Sequence, residues 1–339
     1  MSTTTPEGDW VTLPCGHQVP RNERHDEGIV QSHYCGYLAW GIMRPLAERA
    51  YAGSPMERPF HNDDEAMFVV VHQISELGFT RLLAELESAR AQIDGNAYAK
   101  ATKHVHRAIK WLRHAVDTAK LLFSMDTGGF MEPKVGFRDL VVPASGAESS
   151  AVREIELLFG MRADSPYMLV HGRLLTFRQV MDVPPGIHGR GSRWWTHEMA
   201  RRASERSVVD AFRDIITRDA TTLRAILDRG AKDPLRLLMA ALWNFEKEML
   251  EFRKVHYYLA AHHFMIAAEM GYIPVKAEDL KGTGVGVAVS STAEEMPAAL
   301  GYLEAAFRTA RLFPELFDLM SLVDPTIDKL LKLNTPKKE

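Results

Sequence analysis

A chain of 339 residues, 46% of them hydrophobic and 25% charged, is long enough for a sizeable core and carries no compositional sign of disorder. A formal net charge of −3 argues against a nucleic-acid partner, since phosphate binding needs a basic excess, and two cysteines, Cys15 and Cys35, cannot make a disulfide framework. No apolar run approaches the ~20 residues that cross a bilayer, and MSTTTPEGDW lacks the cationic and apolar regions of a secretory signal, so a soluble cytoplasmic protein with no membrane partner is expected.

Residues 1–40 are expected to be an irregular arm, polar and broken by Pro6, Pro14, Gly16 and Pro20 through residue 30, with a short helix starting in QSHYCGYLAWGIMRPLAERAY. In HNDDEAMFVVVHQISELGFTRLLAELESA, Phe68, His72, Ser75, Phe79, Leu82 and Leu86 follow one another at intervals of four and three. That spacing predicts a helix over 64–91 with one apolar face, capped by Asp63 and Asp64, and it puts an imidazole where a leucine would ordinarily pack. A second helix follows in AYAKATKHVHRAIKWLRHAVDTAKLLFS, and after the break TGGFMEP a third runs in SSAVREIELLFG to Gly160. Residues 161–200, with DVPPGIHGRGSRWWTHE, read as a loop-rich insertion or lid within one domain spanning 1–339.

The longest element begins at DPLRLLMAALW, with Asp233 as N-cap and Pro234 at the first helical position, and Gly271 as its stop. Its seam is Leu238, Leu242, Phe245, Met249, Phe252, His256, Leu259 and His263, so a histidine again interrupts an apolar stripe. The glycine-rich KGTGVGVAVSS follows, then a helix over 293–310 and the closing RLFPELFDLM; VGVAV is the one short strand candidate. The expected architecture is all-α, a bundle of long helices around a cofactor-sized cavity.

A seam histidine has two readings. It can be a core residue with both nitrogens hydrogen-bonded, or it can face a cavity and hold a metal or cofactor there. Zinc-type sites find little support, because neither CGH at 15–17 nor THEMARR has ligand partners at the required spacing. GTGVGVAV follows no strand and so makes a poor dinucleotide fingerprint, whereas its glycines suit a loop closing over a ligand or a plain connection. Arg138, framed by Phe137 and Leu140, is a candidate for gripping a carboxylate through two parallel hydrogen bonds; Arg153 is the other, and either could be a solvated charge.

Taken in order, the blocks HYCGYLAW, DDEAMFVVVHQISEL, FRDLVVPASGAESSAVREIE, EFRKVH, KGTG and FPELFDL resemble the tryptophan 2,3-dioxygenase family, within the haem-dependent aromatic oxygenases. The resemblance implies haem b as cofactor, with His256 as axial iron ligand and His72 on the opposite, distal side beside the substrate. It further implies Phe68 as pocket lining, Arg138 on the amino-acid carboxylate, and Thr283 with its neighbours Gly282 and Gly284 closing over the amino end. Tyr34, Tyr37 and Leu38 would reach a neighbouring subunit's pocket, which implies a homo-oligomer, a tetramer or a dimer. The activity implied is insertion of O2 into the indole of L-tryptophan or a close analogue, cleaving the C2–C3 bond to an N-formylkynurenine-type product. Two alternatives stand beside it: a haem-dependent monooxygenase hydroxylating an aromatic amino acid such as tyrosine, and a non-catalytic haem-binding sensor or carrier. The chain departs from the family pattern at Gly78, where a tryptophan is usual, at Ala147 and Glu148, at Lys134, and in the long interval from His256 to Thr283. Those departures make a modified aromatic substrate plausible.

Overall fold

The computed structural model describes residues 10–12, 18–20, 63–126, 149–170, 173–181, 197–269 and 299–331. Within them the four-and-three spacing produces the expected helices. Helix α1 spans Asp63–Asp94, and a turn with Asn96 at φ 56° reverses the chain into α2, Tyr98–Lys120. Asparagine occupies that left-handed conformation more readily than most side chains. A single 3₁₀ turn, Leu121–Ser124, closes this hairpin. Phe79, Leu82 and Leu86 of α1 and Val105, Ala108 and Leu112 of α2 are buried, so the two apolar stripes meet. A buried carboxylate adds to the joint: Glu85 receives Arg81 Nη2 at 2.6 Å and His104 Nδ1 at 2.7 Å.

Helix α3, Ser150–Phe159, packs on α1 and is capped by Ser149, whose hydroxyl accepts the Val152 N–H. From there the structure departs from a loop-rich reading. Strands β1 (Trp10–Thr12) and β2 (Gln18–Pro20) form one antiparallel hairpin, and β3 (Pro166–Val170) pairs antiparallel with β4 (Arg173–Thr176). The β3–β4 hairpin carries Tyr167 into the core, and helix α4, Phe177–Met181, buries Phe177, Val180 and Met181. PYMLV is a nearly continuous apolar run, so the alternation that signals a half-exposed strand is absent from it. VGVAV lies outside the described residues.

Helices α5 (His197–Ser204), α6 (Val208–Arg218) and α7 (Leu223–Leu227) follow. A capping box starts α6: Ser207 accepts the Asp210 N–H, while the Asp210 carboxylate accepts the Ser207 N–H. The longest helix, α8, spans Pro234–Glu269 and starts as expected, with Asp233 Oδ1 accepting the N–H groups of Leu235 and Arg236 at 2.9 and 3.0 Å. Helices α9 (Ala299–Thr309), α10 (Pro314–Ser321) and α11 (Ile327–Leu331) end the described chain. Helix α2 packs against both α1 and α8, which makes it the wall that fixes those two long helices relative to each other. The all-α bundle expected from the sequence is the architecture observed, with the two short hairpins as additions.

Candidate functional site between the long helices

Both seams change character along their length. In α1, Phe79, Leu82 and Leu86 are fully buried, while Phe68 and His72 retain accessible surface. In α8, Leu238, Leu242, Phe245 and Met249 are fully buried, while Phe252 and His256 retain some. The two helices touch where the change occurs. Phe79 of α1 meets Phe252 of α8 edge to face at 5.6 Å between ring centroids, and Phe252 lies 6.2 Å from the His256 ring one turn on. That aromatic contact joins the two helices between the buried stretch of each seam and its histidine.

The imidazole of His72 is fixed from within its own helix. Its Nδ1 bonds the Phe68 carbonyl at 2.7 Å, and the Phe68 ring lies 4.0 Å away, tilted against it. A nitrogen that donates to a carbonyl carries the proton, so Nε2 is the acceptor nitrogen in this tautomer. Deep burial, partly offset by the hydrogen bond to Phe68, pushes the pKa of His72 down from 6.5 to about 4. His256 is lowered to about 4 as well, first by burial, then by the charges of His72 and Arg153. Each histidine lies within electrostatic reach of the other, and at neutral pH both are uncharged bases.

His263, two turns beyond His256, shows the bland reading of a seam histidine. It is buried and its Nε2 is hydrogen-bonded to the Leu122 carbonyl at 2.9 Å. The same helix therefore holds one histidine tied to a core carbonyl and one packed near Phe252.

Among the described residues no three His, Cys, Asp or Glu side chains come together in a way that could hold a metal ion. Two neutral imidazoles close to each other would suit a metal whose other ligands come with a macrocycle, since a haem needs a single protein ligand. The residues present are compatible with that group: two unprotonated imidazoles, with the aromatic rings of Phe68 and Phe252 beside them.

Of the other candidate residues, Tyr34, Tyr37, Leu38, Arg138, Gly282, Thr283 and Gly284 lie outside the described residues, as do Lys134, Ala147 and Glu148. Arg153 does not lie in solvent: it is buried and donates to Glu156 at 2.7 Å and to the Tyr167 hydroxyl. Sequence reasoning missed the rest of this group. Arg253 Nη2 reaches Glu156 Oε1 at 2.6 Å and Arg253 Nη1 donates to the Ala310 carbonyl at 2.8 Å. The only sequence signal was the spacing of three between Arg153 and Glu156, and nothing in it reported Arg253, 97 residues further along the chain. Gly78 has a counterpart across the helix pair. A Cβ on it would lie 3.7 Å from Trp111 Cε3, so an indole from α2 covers the surface that a larger residue on α1 would occupy.

Residues 31–171 match the sequence model of the tryptophan 2,3-dioxygenase family. Over those residues, less than half of the chain, it is similar to that family. Similar relatives include a tryptophan 2,3-dioxygenase of Sorangium cellulosum, 32% identical over 136 residues, which are 39% of this chain and 32% of that one. A tryptophan 2,3-dioxygenase 2 of Ralstonia nicotianae is 32% identical over 37% of this chain and 33% of its own. A tryptophan 2,3-dioxygenase of Xanthomonas campestris pv. campestris is 30% identical over 44% of this chain and 48% of its own. The matched segments thus span less than half the length of these relatives. The family segment contains Phe68, His72 and Arg138 and ends before α8, so His256 stands on its geometry. Among the described residues no helix is long and apolar enough to cross a membrane.

Proposed function

We propose that this chain is a haem-dependent oxygenase acting on L-tryptophan or a closely related aromatic amino acid. The observation that carries the proposal is the pair of neutral histidines, His72 on α1 within the segment similar to this family and His256 on α8 beyond it, close enough to feel each other's charge.

His256, on the longest helix, would hold a haem b through an uncharged imidazole nitrogen. When bound, the haem supplies the O2 activation and oxygen insertion that no side chain can perform. The protein binds, orients and excludes water. His72 presents Nε2 as an acceptor for the substrate's ring N–H, because its Nδ1 proton is committed to the Phe68 carbonyl. Phe68, packed on His72, lines the same wall for an aromatic ring. Arg138 grips the carboxylate through paired hydrogen bonds, and Thr283, between Gly282 and Gly284, closes over the amino end. Tyr34, Tyr37 and Leu38 complete the pocket of a neighbouring copy in a homo-oligomer. Holding the indole against the oxygen-activating centre is the larger part of what such a site contributes to rate. Insertion of both oxygen atoms across the C2–C3 bond gives an N-formylkynurenine-type product.

The test is an absorption spectrum of purified protein supplied with haem, followed by L-tryptophan and then L-tyrosine. A Soret band that moves with tryptophan, and a product heavier by two oxygen atoms, are the expected results. One added oxygen atom on an aromatic amino acid would replace dioxygenation by hydroxylation, and a haem band with no turnover of any indole or phenol would replace the enzyme by a sensor or carrier. His256→Ala is expected to lose stable haem binding; full retention refutes the ligand assignment.

A further inference from the structure

The outer face of the α1–α2 hairpin takes no part in the proposed chemistry. On α2, Lys100, Lys103, Arg107, Lys110 and His114 follow one another at intervals of three and four, and all five are exposed. They form one basic stripe on the side away from the buried Val105, Ala108 and Leu112. Carboxylates near this helix serve other groups: Glu248 takes Arg113, Asp117 takes Lys120, and the buried Glu85 takes Arg81, His104 and, at 3.9 Å, Arg107. On α1, Val70, Ile74, Leu77 and Arg81 also step by four and three, and the three apolar side chains are 45%, 38% and 61% exposed. Arg81 and Arg107 converge on Glu85, so the two stripes lie side by side. The resulting surface is cationic toward the hairpin turn and apolar toward its other end. Trp111, which faces Gly78, stands at the border, with Leu121 beyond it.

This face costs the fold stability. Like charges three and four apart on a helix repel. Lys100 lies in the first turn of α2 and Lys103 in the second, where the macrodipole disfavours cations, and no acidic residue in the first turn offsets them. In a chain of net charge −3, an ordinary solvated face would mix both signs. Apolar side chains gathered on one exposed face mark a place of contact. We propose that this face docks on an anionic phospholipid bilayer, with the lysine stripe over the headgroups and Leu77, Ile74 and Val70 entering the headgroup boundary beside the Trp111 indole. A nucleic acid would use the cations and leave the apolar side chains in water, and a second copy would bring two stripes of like charge together. An acidic bilayer surface satisfies both halves of the face. No helix among the described residues crosses a bilayer, and docking on one leaflet needs none.

The test is co-flotation of the full-length protein with vesicles of phosphatidylcholine alone and of phosphatidylcholine with phosphatidylglycerol, at low and high salt. The variants are Lys103→Gln/Lys110→Gln, Leu77→Ser and a control, Arg224→Gln/Lys232→Gln, whose exposed cations lie on α7 and just before α8. Wild type is expected to float with the anionic vesicles alone and to be released by salt. Each lysine near such a surface contributes about fivefold, so the double lysine variant should bind about 25-fold more weakly. Leu77→Ser should weaken binding while keeping its salt dependence, and the control should bind as wild type does. All five substituted side chains are exposed, so thermal midpoints should stay together. Wild-type protein that ignores anionic vesicles overturns the proposal, as does an equal loss in the control, which would reduce the effect to net charge. Binding to a duplex oligonucleotide that needs the two lysines, without flotation, would assign the stripe to nucleic acid. A changed sedimentation coefficient in either hairpin variant, without flotation, would assign the face to a second copy, and either result overturns the lipid assignment.

Discussion

The Ser149 hydroxyl lies 2.5 Å from Glu76 Oε1, so the N-cap of α3 is bonded to the turn of α1 that follows His72. The same oxygen accepts the Val152 N–H at 3.3 Å. One small side chain thus fixes a helix start and ties the two most specific family blocks together, HQISEL and ASGAESS.

Ser149→Ala removes both bonds. Loss of an N-cap costs about 0.5–2 kcal/mol, and a partly buried carboxylate that loses a donor adds to it, so a drop of about 1–2 kcal/mol in unfolding free energy is expected. Ser149→Thr retains a hydroxyl and should recover most of the loss. Urea denaturation of the three proteins measures this directly, and identical midpoints for serine and alanine would show that the bond contributes nothing.

The same substitution at two glycines should have opposite signs. At Gly160, which ends α3, a Cβ would stand 2.3 Å from the Leu312 carbonyl oxygen and 2.7 Å from Val209 Cγ2. A backbone oxygen and a buried side chain must then move, and Gly160→Ala should lose about 1–3 kcal/mol. At Gly78, inside α1, the nearest atom is Trp111 Cε3 at 3.7 Å, an ordinary contact. Gly78→Ala should gain about 0.5–1 kcal/mol, because alanine loses less backbone freedom in a helix. Thermal midpoints that fall for both would mean that Trp111 packs on Gly78 more tightly than 3.7 Å implies.

The readability of this chain followed the range of its interactions. Seams such as Leu238, Leu242, Phe245 and Met249 repeat locally, and the structure buries all four as their spacing requires. The Asp233 cap was legible for the same reason, since the N–H groups it accepts lie two and three residues on. Of the site, His72 and His256 could be singled out because each breaks a seam. Their neighbours could not, because Arg253 finds Glu156 on another helix and Ser149 finds Glu76 across 73 positions. The β3–β4 hairpin was hidden because PYMLV is a nearly continuous apolar run that shows no alternation. His72 and His263 look alike in sequence, and only the fold gives one a core carbonyl of another element and the other a carbonyl of its own helix.

The depressed histidines make a prediction about acid. His72 is held near 4 in the fold against an ordinary 6.5, with burial as the main cause. Between those values the unfolded chain binds a proton that the folded chain refuses, so stability rises with pH across the window and falls as acid is added. The loss begins near pH 6.5 and is complete below about 4, where both states are protonated. One unit of difference corresponds to about 1.4 kcal/mol, a ceiling here because His72 keeps some accessible surface. His256 acts in the same direction over the same window. His72→Gln removes its titration and puts an uncharged polar side chain in its place. Unfolding free energies measured in urea from pH 7 down to pH 4.5 should therefore decline more steeply for wild type than for this variant. Parallel declines would mean that His72 accepts its proton without leaving the fold, and with that the neutral acceptor assigned to the substrate's ring N–H would be gone.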